Sequence, residues 1–247
     1  DINEETLPAA VAGLKTCGIR GFNLTMPNKN KIVELLDELS PEAQLIGAVN
    51  TVLNDNGKLI GYNTDGYGFM QSVRDAGHDI TGKNITVMGV GGASMAICAQ
   101  SALDGAASVH IFARRTSRYW NRTQKFAENL SAKTGCQVCL FDNDDHTALR
   151  DSIAQSYLLI NATSVGMVPD IDDTIIKDTS LFHPELVVAD VVYEPQETRL
   201  LREAKAAGCQ TFNGMYMLLH QGAKAFQIWT GQEMPVSVIK EKYFSVK

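Results

Sequence analysis

A continuous apolar segment from Ile85 to Val90 runs directly into the glycine-rich turn formed by residues 89–94. From Lys83 onward, short apolar segments of this kind alternate with segments of helical character. Strands that are apolar on both faces and alternate with helices predict a parallel sheet covered on both sides, and therefore an α/β fold. The predicted strands are Ile85–Val90, Val109–Ala113, Cys136–Phe141, Leu158–Asn161, Leu186–Asp190 and Gln210–Phe212. The predicted helices run to about Leu103, near Thr123–Lys133, over Thr198–Ala207 and over Gly214–Trp229.

The turn itself is typical of a dinucleotide-binding loop. Gly89 permits a tight turn, Gly91 lets backbone approach a pyrophosphate, and the following helix offers unpaired N–H groups to the anion. Ser94 stands at the third glycine position, and an ordinary β–α turn is the alternative. The position of the turn between strand and helix, inside repeated βα units, favours a Rossmann-type cofactor site. That site comprises Gly89, Val90, Gly91, Gly92 and Ala93.

The segment after the second strand indicates which dinucleotide binds. An acidic residue there would hold the ribose 2′-hydroxyl of NAD, whereas arginines would hold the 2′-phosphate of NADP. The segment carries Arg114, Arg115 and Arg118 and no acid. Because guanidinium groups bind phosphate in a bidentate manner, we predict NADP, with a solvated basic loop as the alternative.

Charge and hydropathy exclude other classes of protein. A formal net charge of −6 gives no attraction to nucleic acid or an anionic membrane. No apolar run approaches the roughly 20 residues that span a bilayer. We therefore predict no nucleic-acid partner and no membrane partner.

The five cysteines indicate a reducing compartment, because an odd number fits free thiols in the cytoplasm. Cys136 and Cys139 form a single CxxC without a second pair or close histidines, so we expect inert buried thiols and no metal site. The chain starts at Asp1, in what the pattern indicates is a helix already under way. We therefore expect residues to precede it, and the absence of a secretory signal excludes little.

The first third of the chain predicts a second set of elements. Gly21–Thr25 is typical of a strand, ended by Met26-Pro27. The apolar spacing from Ile32 to Leu39 predicts an amphipathic helix that ends near Ser40-Pro41.

A hairpin and another helix follow. Strand-like residues Ala48–Leu53 and Leu59–Tyr62 flank Asp55-Asn56-Gly57, a turn sequence that tolerates positive φ. Thr64-Asp65 can cap a helix that runs to about Ala76 and stops at Gly77.

Three polar residues lie at predicted strand ends in this region: Lys29, Asn50 and Asp65. Each alone is more often a surface charge or a turn former. Their common position at strand-end turns, where functional sites usually lie, makes them candidates for a site.

Seven motifs run in order along nearly the whole chain. They are Asn23-Leu-Thr25-Met-Pro27-Asn-Lys29, Gly47-Ala-Val-Asn50-Thr51, Asn63-Thr-Asp65-Gly66, the turn at residues 89–94, Asn161-Ala-Thr-Ser164, Asp190-Val-Val-Tyr193 and Gly214-Met-Tyr-Met217-Leu-Leu-His-Gln221. Together they resemble the shikimate dehydrogenase family, including its quinate/shikimate dehydrogenase branch. A family element is absent: an N-terminal strand with a Ser-x-Ser motif that contacts the substrate carboxylate. We expect that it belongs to the residues preceding Asp1.

The resemblance implies reversible NADP-linked interconversion of 3-dehydroshikimate and shikimate, a step in chorismate and aromatic amino acid biosynthesis. It implies that Lys29 and Asp65 are the catalytic pair, because an alkoxide formed by hydride transfer needs a proton donor or fixed cation beside it. The implied substrate-binding residues are Thr25, Asn50, Asp65, Tyr193 and Gln221. Thr163, Val191 and Gly214 are implied on the cofactor side, with plain core packing as the alternative for Val191.

The cofactor and branch signals conflict. The basic segment departs from the family pattern Asn-Arg-Thr-x-x-Arg by carrying Ala113 for Asn and Arg115 for Thr. Thr116 stands where the quinate/shikimate branch tends to carry an acid that permits NAD. Yet Met26-Pro27-Asn28-Lys29 and the segment from Gln221 to Trp229-Thr-Gly resemble that branch. NADP is therefore the expected cofactor, and NAD remains an alternative.

The resemblance also implies an architecture: a Rossmann-type, doubly wound nucleotide domain at residues 66–213 and a discontinuous α/β substrate domain at residues 1–65 and 214–247. The site would lie in the cleft between them, in a homodimer or monomer. Two rival functions remain: a quinate/shikimate dehydrogenase using NAD or NADP, and a non-catalytic dinucleotide sensor on the same fold.

Overall fold

The computed structural model describes residues 1–244, which form two sheets with different strand directions. The first is a four-stranded mixed sheet from the first third of the chain. The second is a six-stranded, wholly parallel sheet. Across the described residues, no helix combines the length and apolar character needed to cross a membrane.

The first sheet has the order β1-β3-β4-β2. Strands β3 and β4 form the predicted hairpin, and Asn56 and Gly57 adopt φ values of 53° and 91° at its turn. Asn54 Oδ1 accepts a hydrogen bond from the Gly57 amide and closes the turn. The strands are β1 (Gly21–Asn23), β2 (Glu38–Leu39), β3 (Thr51–Asp55) and β4 (Lys58–Tyr62).

The predicted amphipathic helix from Ile32 to Leu39 is wrong. A short helix α2 (Asn28–Lys31, after α1, Leu7–Thr16) continues as a single 3₁₀ turn, and the backbone is then extended at Leu36, with ψ of 147°. Strand β2 follows and pairs in parallel with β4. Leu36 and Leu39 approach Gly61 so closely that a Cβ there would lie 2.5 and 2.9 Å from their methyl carbons. Packing and strand pairing at Gly61 therefore override helical spacing.

Two element starts also differ from expectation. Ser40 was expected near the end of a helix, but it caps the start of helix α3 (Pro41–Ile46). Its hydroxyl oxygen accepts a hydrogen bond from the Ala43 amide. Helix α1 begins at Leu7 and is not already under way at Asp1. The Asn3 side chain accepts the amides of Glu5 and Thr6 and so holds a turn before the helix.

The second sheet has the order β10-β9-β8-β5-β6-β7, with every pair parallel. From β5 the chain adds strands β6 and β7 toward one edge of the sheet, and from β8 it adds β9 and β10 toward the other edge. The carboxyl ends of the neighbouring strands β5 and β8 therefore form the switch point, where ligands bind in such sheets. The strands are β5 (Asn84–Met88), β6 (Ser108–Ala113), β7 (Gln137–Asp142), β8 (Leu158–Asn161), β9 (Val187–Asp190) and β10 (Gln210–Phe212).

Helices cover this sheet, as predicted, and α7 is an element for which the sequence analysis had no signal. The helices from α4 onward are α4 (Asp65–Asp75), α5 (Gly92–Leu103), α6 (Trp120–Thr134), α7 (His146–Gln155), α8 (Arg199–Ala206), α9 (Met215–Thr230) and α10 (Val236–Ile239).

Helix α4 packs between α5 and α9, and two glycines set these contacts. A Cβ on Gly66 would lie 2.3 Å from the Ala96 carbonyl oxygen of α5. A Cβ on Gly68 would lie 2.7 Å from both the Gln221 nitrogen and the Met217 carbonyl oxygen of α9. Because α4 begins at Asp65, the boundary predicted between residues 65 and 66 falls in its first turn. The domain limits themselves remain a prediction.

The cysteines are free thiols. Cys98 and Cys136 are buried, and burial raises their pKa values to about 12 and about 11. Such thiols stay protonated near neutral pH and are poor nucleophiles and poor metal ligands. Within residues 1–244, no cluster of three or more His, Cys, Asp or Glu residues could hold a metal ion.

Candidate active site

Lys29 and Asp65 form an ion pair that is mostly shielded from solvent. Lys29 Nζ donates to Asp65 Oδ2 at 2.6 Å, and the side chains are 18% and 12% exposed. Lys29 lies in α2, where its carbonyl accepts the Val49 amide at 2.8 Å. Asp65 opens α4, and its amide donates to Asn63 Oδ1. Both charged groups are therefore held by backbone contacts as well as by each other.

Asn50 orients the carboxylate of this pair. Its Nδ2 donates to Asp65 Oδ1 at 2.8 Å and to Thr64 Oγ1 at 3.0 Å, and Gln221 Oε1 lies 3.4 Å away. Its Oδ1 accepts the Thr64 amide at 2.9 Å. Asn50 is only 2% exposed. Each Asp65 oxygen thus accepts a hydrogen bond, one from Lys29 and the other from Asn50.

A cavity of about 560 Å³ opens over this cluster. It brings together every substrate-side residue of the sequence analysis and three of the cofactor-side residues. Four further lining residues, Asn23, Leu24, Met217 and Leu218, were not assigned roles there, although all four fall within the quoted motifs. The lining residues are Asn23, Leu24, Thr25, Lys29, Asn50, Asp65, Ala93, Val191, Tyr193, Gly214, Met217, Leu218 and Gln221.

The glycine-rich turn has room for a phosphate group. A Cβ at Gly91 or Gly92 would have no atom within 4 Å, and no side chain caps the start of α5. Gly89 adopts φ of 111°, and Ser94, in the third glycine position, donates its hydroxyl to the Gly89 carbonyl at 2.5 Å. Uncapped amides beside open space are the features that hold an anion at a helix N-terminus, so this turn fits a pyrophosphate.

A second cavity, of about 250 Å³, lies between this turn and the first sheet. Lys29 lines both cavities. Arg122 and Tyr119, at the start of α6, line the second one beside Val90, Gly91 and Gly92. The sequence analysis missed Arg122, and no local pattern marks it, because it stands inside an ordinary helix eight positions after Arg114.

The three predicted arginines follow β6 and line neither of these cavities. Arg114 is exposed. The Arg115 guanidinium lies 4.6 Å from the centroid of the Trp120 ring. Arg118 lies over the Tyr119 ring and donates to its hydroxyl at 2.6 Å. Arg115 and Arg118 are exposed as well, so all three cations are accessible to solvent after the carboxyl end of β6.

Val191 and Gly214 touch through their backbones. A Cβ on Gly214 would lie 2.0 Å from the Val191 carbonyl oxygen, so glycine is required for this approach. Tyr193 is 43% exposed. Thr163 follows β8, at the switch point, and its Cγ2 would be 2.8 Å from a Cβ on Gly89.

A Rossmann-type sheet, an anion-binding turn at its switch point and a Lys–Asp pair in the adjoining cavity define a dinucleotide-dependent oxidoreductase. A shikimate dehydrogenase (NADP(+)) of Listeria innocua is 50% identical over 244 residues, which are 99% of this chain and 84% of that protein. The chain belongs to the shikimate dehydrogenase family.

Family models and further relatives agree. The model of the shikimate dehydrogenase substrate binding domain matches residues 1–52, and that of the shikimate 5′-dehydrogenase C-terminal domain matches residues 214–242. A quinate/shikimate dehydrogenase of Escherichia coli is 42% identical and covers 98% of this chain and 83% of its own length. The crystal structure of shikimate 5-dehydrogenase from Listeria monocytogenes in complex with shikimate and NAD superposes with a TM-score of 0.95, at 49% identity, over 98% of this chain and 83% of that one.

Proposed function

We propose that the protein catalyses the reversible NADP-linked interconversion of 3-dehydroshikimate and shikimate. The observation that carries this proposal is the shielded Lys29–Asp65 pair in a cavity that reaches the anion-binding turn. The Listeria relatives support the substrate and the cofactor, since they are named for shikimate and NADP(+).

The proposed chemistry divides between cofactor and protein. Bound NADPH supplies a hydride to the substrate carbonyl carbon. In this direction the carbonyl oxygen gains negative charge, and the Lys29 ammonium donates a proton to it to give the hydroxyl group. In the reverse direction Lys29 takes up that proton. Asp65 holds Nζ in place through the 2.6 Å contact.

Neutral side chains around the pair are proposed to bind the ring hydroxyl groups of the substrate. Thr25, Asn50, Tyr193 and Gln221 supply donors and acceptors in the cavity. A site built of such groups discriminates against analogues that leave one of them buried and unpaired. Because the Asn50 amide group already donates a hydrogen bond to Asp65, we assign Asn50 a second role in orienting that carboxylate.

We assign the cofactor to the switch point of the parallel sheet. The proposed contacts are Gly89, Val90, Gly91, Gly92 and Ala93 for the pyrophosphate, Arg114, Arg115 and Arg118 for the adenosine 2′-phosphate, and Thr163, Val191 and Gly214 beside the nicotinamide. To these we add Arg122, whose side chain lines the cavity beside the turn and would neutralise phosphate charge.

A second candidate is quinate oxidation with NAD or NADP. The 42% identical relative is named for both quinate and shikimate, and the structural relative of Listeria monocytogenes was crystallised with NAD.

The free cysteines support a cytoplasmic location for the protein.

The decisive assay follows the reduced cofactor, NADPH or NADH, that the purified protein forms from NADP or NAD with shikimate or quinate. The first candidate is supported if the kcat/KM for shikimate with NADP is more than about ten times the kcat/KM for quinate. That ratio corresponds to a difference of roughly 1.4 kcal/mol in transition-state binding. Comparable values support the second. If no pair is turned over, and neither shikimate nor NADP raises the Tm, a non-catalytic function is favoured instead.

A further inference from the structure

Asp190 is a completely buried carboxyl group at the carboxyl end of β9. Three neutral groups hydrogen-bond to it. Asn161 Nδ2 and the Val192 amide donate to Oδ1 at 3.0 and 2.9 Å, and Thr198 Oγ1 donates to Oδ2 at 2.8 Å. Burial raises the pKa of Asp190. The group is therefore costly to bury and is satisfied by partners from β8, from its own loop and from the start of α8.

Asn161 extends these contacts to the neighbouring loop. It lies at the carboxyl end of β8, beside Asp190 in the sheet register. Its Oδ1 accepts the amide and the hydroxyl of Thr163 at 3.1 and 2.6 Å, and its Nδ2 also donates to the Val165 carbonyl. A single pair of side chains thus holds both loops that leave the sheet at this point.

These loops form walls of the site. Val191 and Tyr193 line the larger cavity. The amide of Gly214 donates to the Val192 carbonyl at 3.2 Å, which joins the start of α9 to the same loop. Thr163 abuts the anion-binding turn at Gly89. A shift of Asp190 would therefore move Val191 and Tyr193 at the cavity and Thr163 at the anion-binding turn.

Sheet stability alone does not require this arrangement. The preceding residues of both strands, Leu158–Ile160 and Val187–Ala189, are buried and apolar. Replacing a buried polar cluster with packed apolar residues is often neutral or stabilising. Polar groups appear only at the last position of each strand, where the chain turns toward the cavity.

We propose that Asp190, acting through Asn161 and Thr198, is a positioning residue that sets the hydride-transfer geometry. This inference rests on the proposed dehydrogenase function. Asp190 does not line the cavity, so it exerts this effect through Val191, Tyr193 and Thr163.

The test compares Asp190→Ala, Asp190→Asn and a matched control, Thr86→Val. Asparagine keeps an oxygen for Asn161 and the Val192 amide, and its NH₂ can donate to Thr198 Oγ1, so it should preserve the geometry. Thr86 is also fully buried in the same sheet and bonds Ser156 Oγ at 2.7 Å, but it lies in the body of β5. Its variant therefore controls for the loss of a buried hydrogen bond.

Two readouts are expected to change in Asp190→Ala and to stay near wild type in the other variants. In the free protein, amide hydrogen exchange in residues 162–166 and 190–195 should rise by about tenfold or more. In the assay with shikimate, kcat should fall roughly ten- to hundredfold while the KM for shikimate stays within about threefold. Shikimate deuterated at the carbon that is oxidised should give a larger isotope effect on kcat, because hydride transfer has become slower.

Several results would overturn the inference in a protein whose wild type turns over shikimate. In the first, amide hydrogen exchange in both loops of Asp190→Ala is the same as in the wild type. In the second, kcat of Asp190→Ala falls but the isotope effect is unchanged. In the third, Asp190→Asn behaves like Asp190→Ala. A wild type without turnover contradicts the proposed function instead, and the exchange experiment still tests whether Asp190 holds the loops. If Asp190→Ala does not fold, Thr198→Val takes its place with smaller changes of the same kind. This variant removes the contact with Asp190 Oδ2 and also the cap that Thr198 Oγ1 gives to the Leu201 amide at the start of α8.

Discussion

Lys29 Nζ and Asp65 Oδ2 lie 2.6 Å apart, although 36 residues separate them in the sequence. The first residue sits in a short helix after β1 and the second opens α4. Asn50, directly before β3, donates a hydrogen bond to the remaining Asp65 oxygen. Three strand-end turns of one small sheet therefore place a cation, a carboxylate and an amide around a single point in the cavity.

Lys29→Ala is expected to lower kcat by about 10² to 10⁴, as for other general acids, with much less effect on KM. Lys29→Arg should not restore the rate fully, because guanidinium scarcely releases its proton. Steady-state kinetics with shikimate and NADP measure both constants. Lys31→Ala is the matched control, since Lys31 belongs to the same helix and pairs with Glu34 at the surface. An increase in KM alone for Lys29→Ala would make Lys29 a binding residue.

Asp65→Asn is expected to lower kcat and also to raise the KM for shikimate. The amide has a single oxygen and cannot accept hydrogen bonds from both Lys29 and Asn50, so one of these contacts is lost. Lys29 also loses the negative charge of its partner. Kinetics together with shikimate titration in the absence of cofactor separate the two effects. A variant with wild-type kcat would show that the carboxylate charge does not support proton transfer.

Arg114→Ala is expected to reduce the preference for NADP over NAD roughly tenfold to a hundredfold, since charge-assisted bonds contribute about 1.5–3 kcal/mol. Arg122→Ala should instead weaken both cofactors alike, because Arg122 lies beside the turn assigned to the pyrophosphate that they share. Dissociation constants of both cofactors for both variants decide this. Equal losses in Arg114→Ala would remove Arg114 from phosphate recognition.

Gly68→Ala is expected to destabilise the protein by about 1–3 kcal/mol and to raise the KM for shikimate. The new Cβ would lie 2.7 Å from backbone atoms of Met217 and Gln221, so α9 must move and carry Gln221 with it. Gly222→Ala is the control on α9, because a Cβ there meets no atom within 4 Å. It should stabilise the protein by about 0.5–1 kcal/mol through helix propensity alone. Denaturant unfolding and kinetics test both variants, and a neutral Gly68→Ala would contradict the close helix contact.

His78→Gln is expected to reduce the loss of stability in mild acid. Burial lowers the pKa of His78 in the folded state. The unfolded chain therefore binds more protons below its ordinary pKa of about 6.5, and the free energy of unfolding falls as pH falls through that value. Denaturant unfolding of wild type and variant at about pH 7.5 and about pH 5.5 measures the difference, with the exposed His146→Gln as the control. An equal pH effect in wild type and His78→Gln would contradict the depressed pKa.

Predictions from the residue pattern of a segment succeeded where the conformational preferences of the segment's own residues decide its structure. Leu158–Asn161 and Gln210–Phe212 have the predicted bounds as strands, and the Asn56-Gly57 turn has the positive φ values that its residues tolerate. Prediction failed between Ile32 and Leu39, where apolar spacing indicated a helix. There, contact with Gly61 and pairing with β4 stabilise an extended segment that no feature within the segment reveals.

The sequence by itself determined the alternation of strands and helices, the anion-binding turn at Gly89–Ser94 and the candidate status of Lys29, Asn50 and Asp65. These features depend on hydrophobic periodicity, on the conformational freedom of glycine and on residue type at a strand end, all of which are local. Only the tertiary structure decided that Asn50 bonds Asp65, that Arg122 lines a cavity with the glycine turn and that Asp190 joins two loops. Each of these contacts joins elements that the folding of a sheet brings together, and their distances depend on packing between helices and strands that spacing along the chain does not encode.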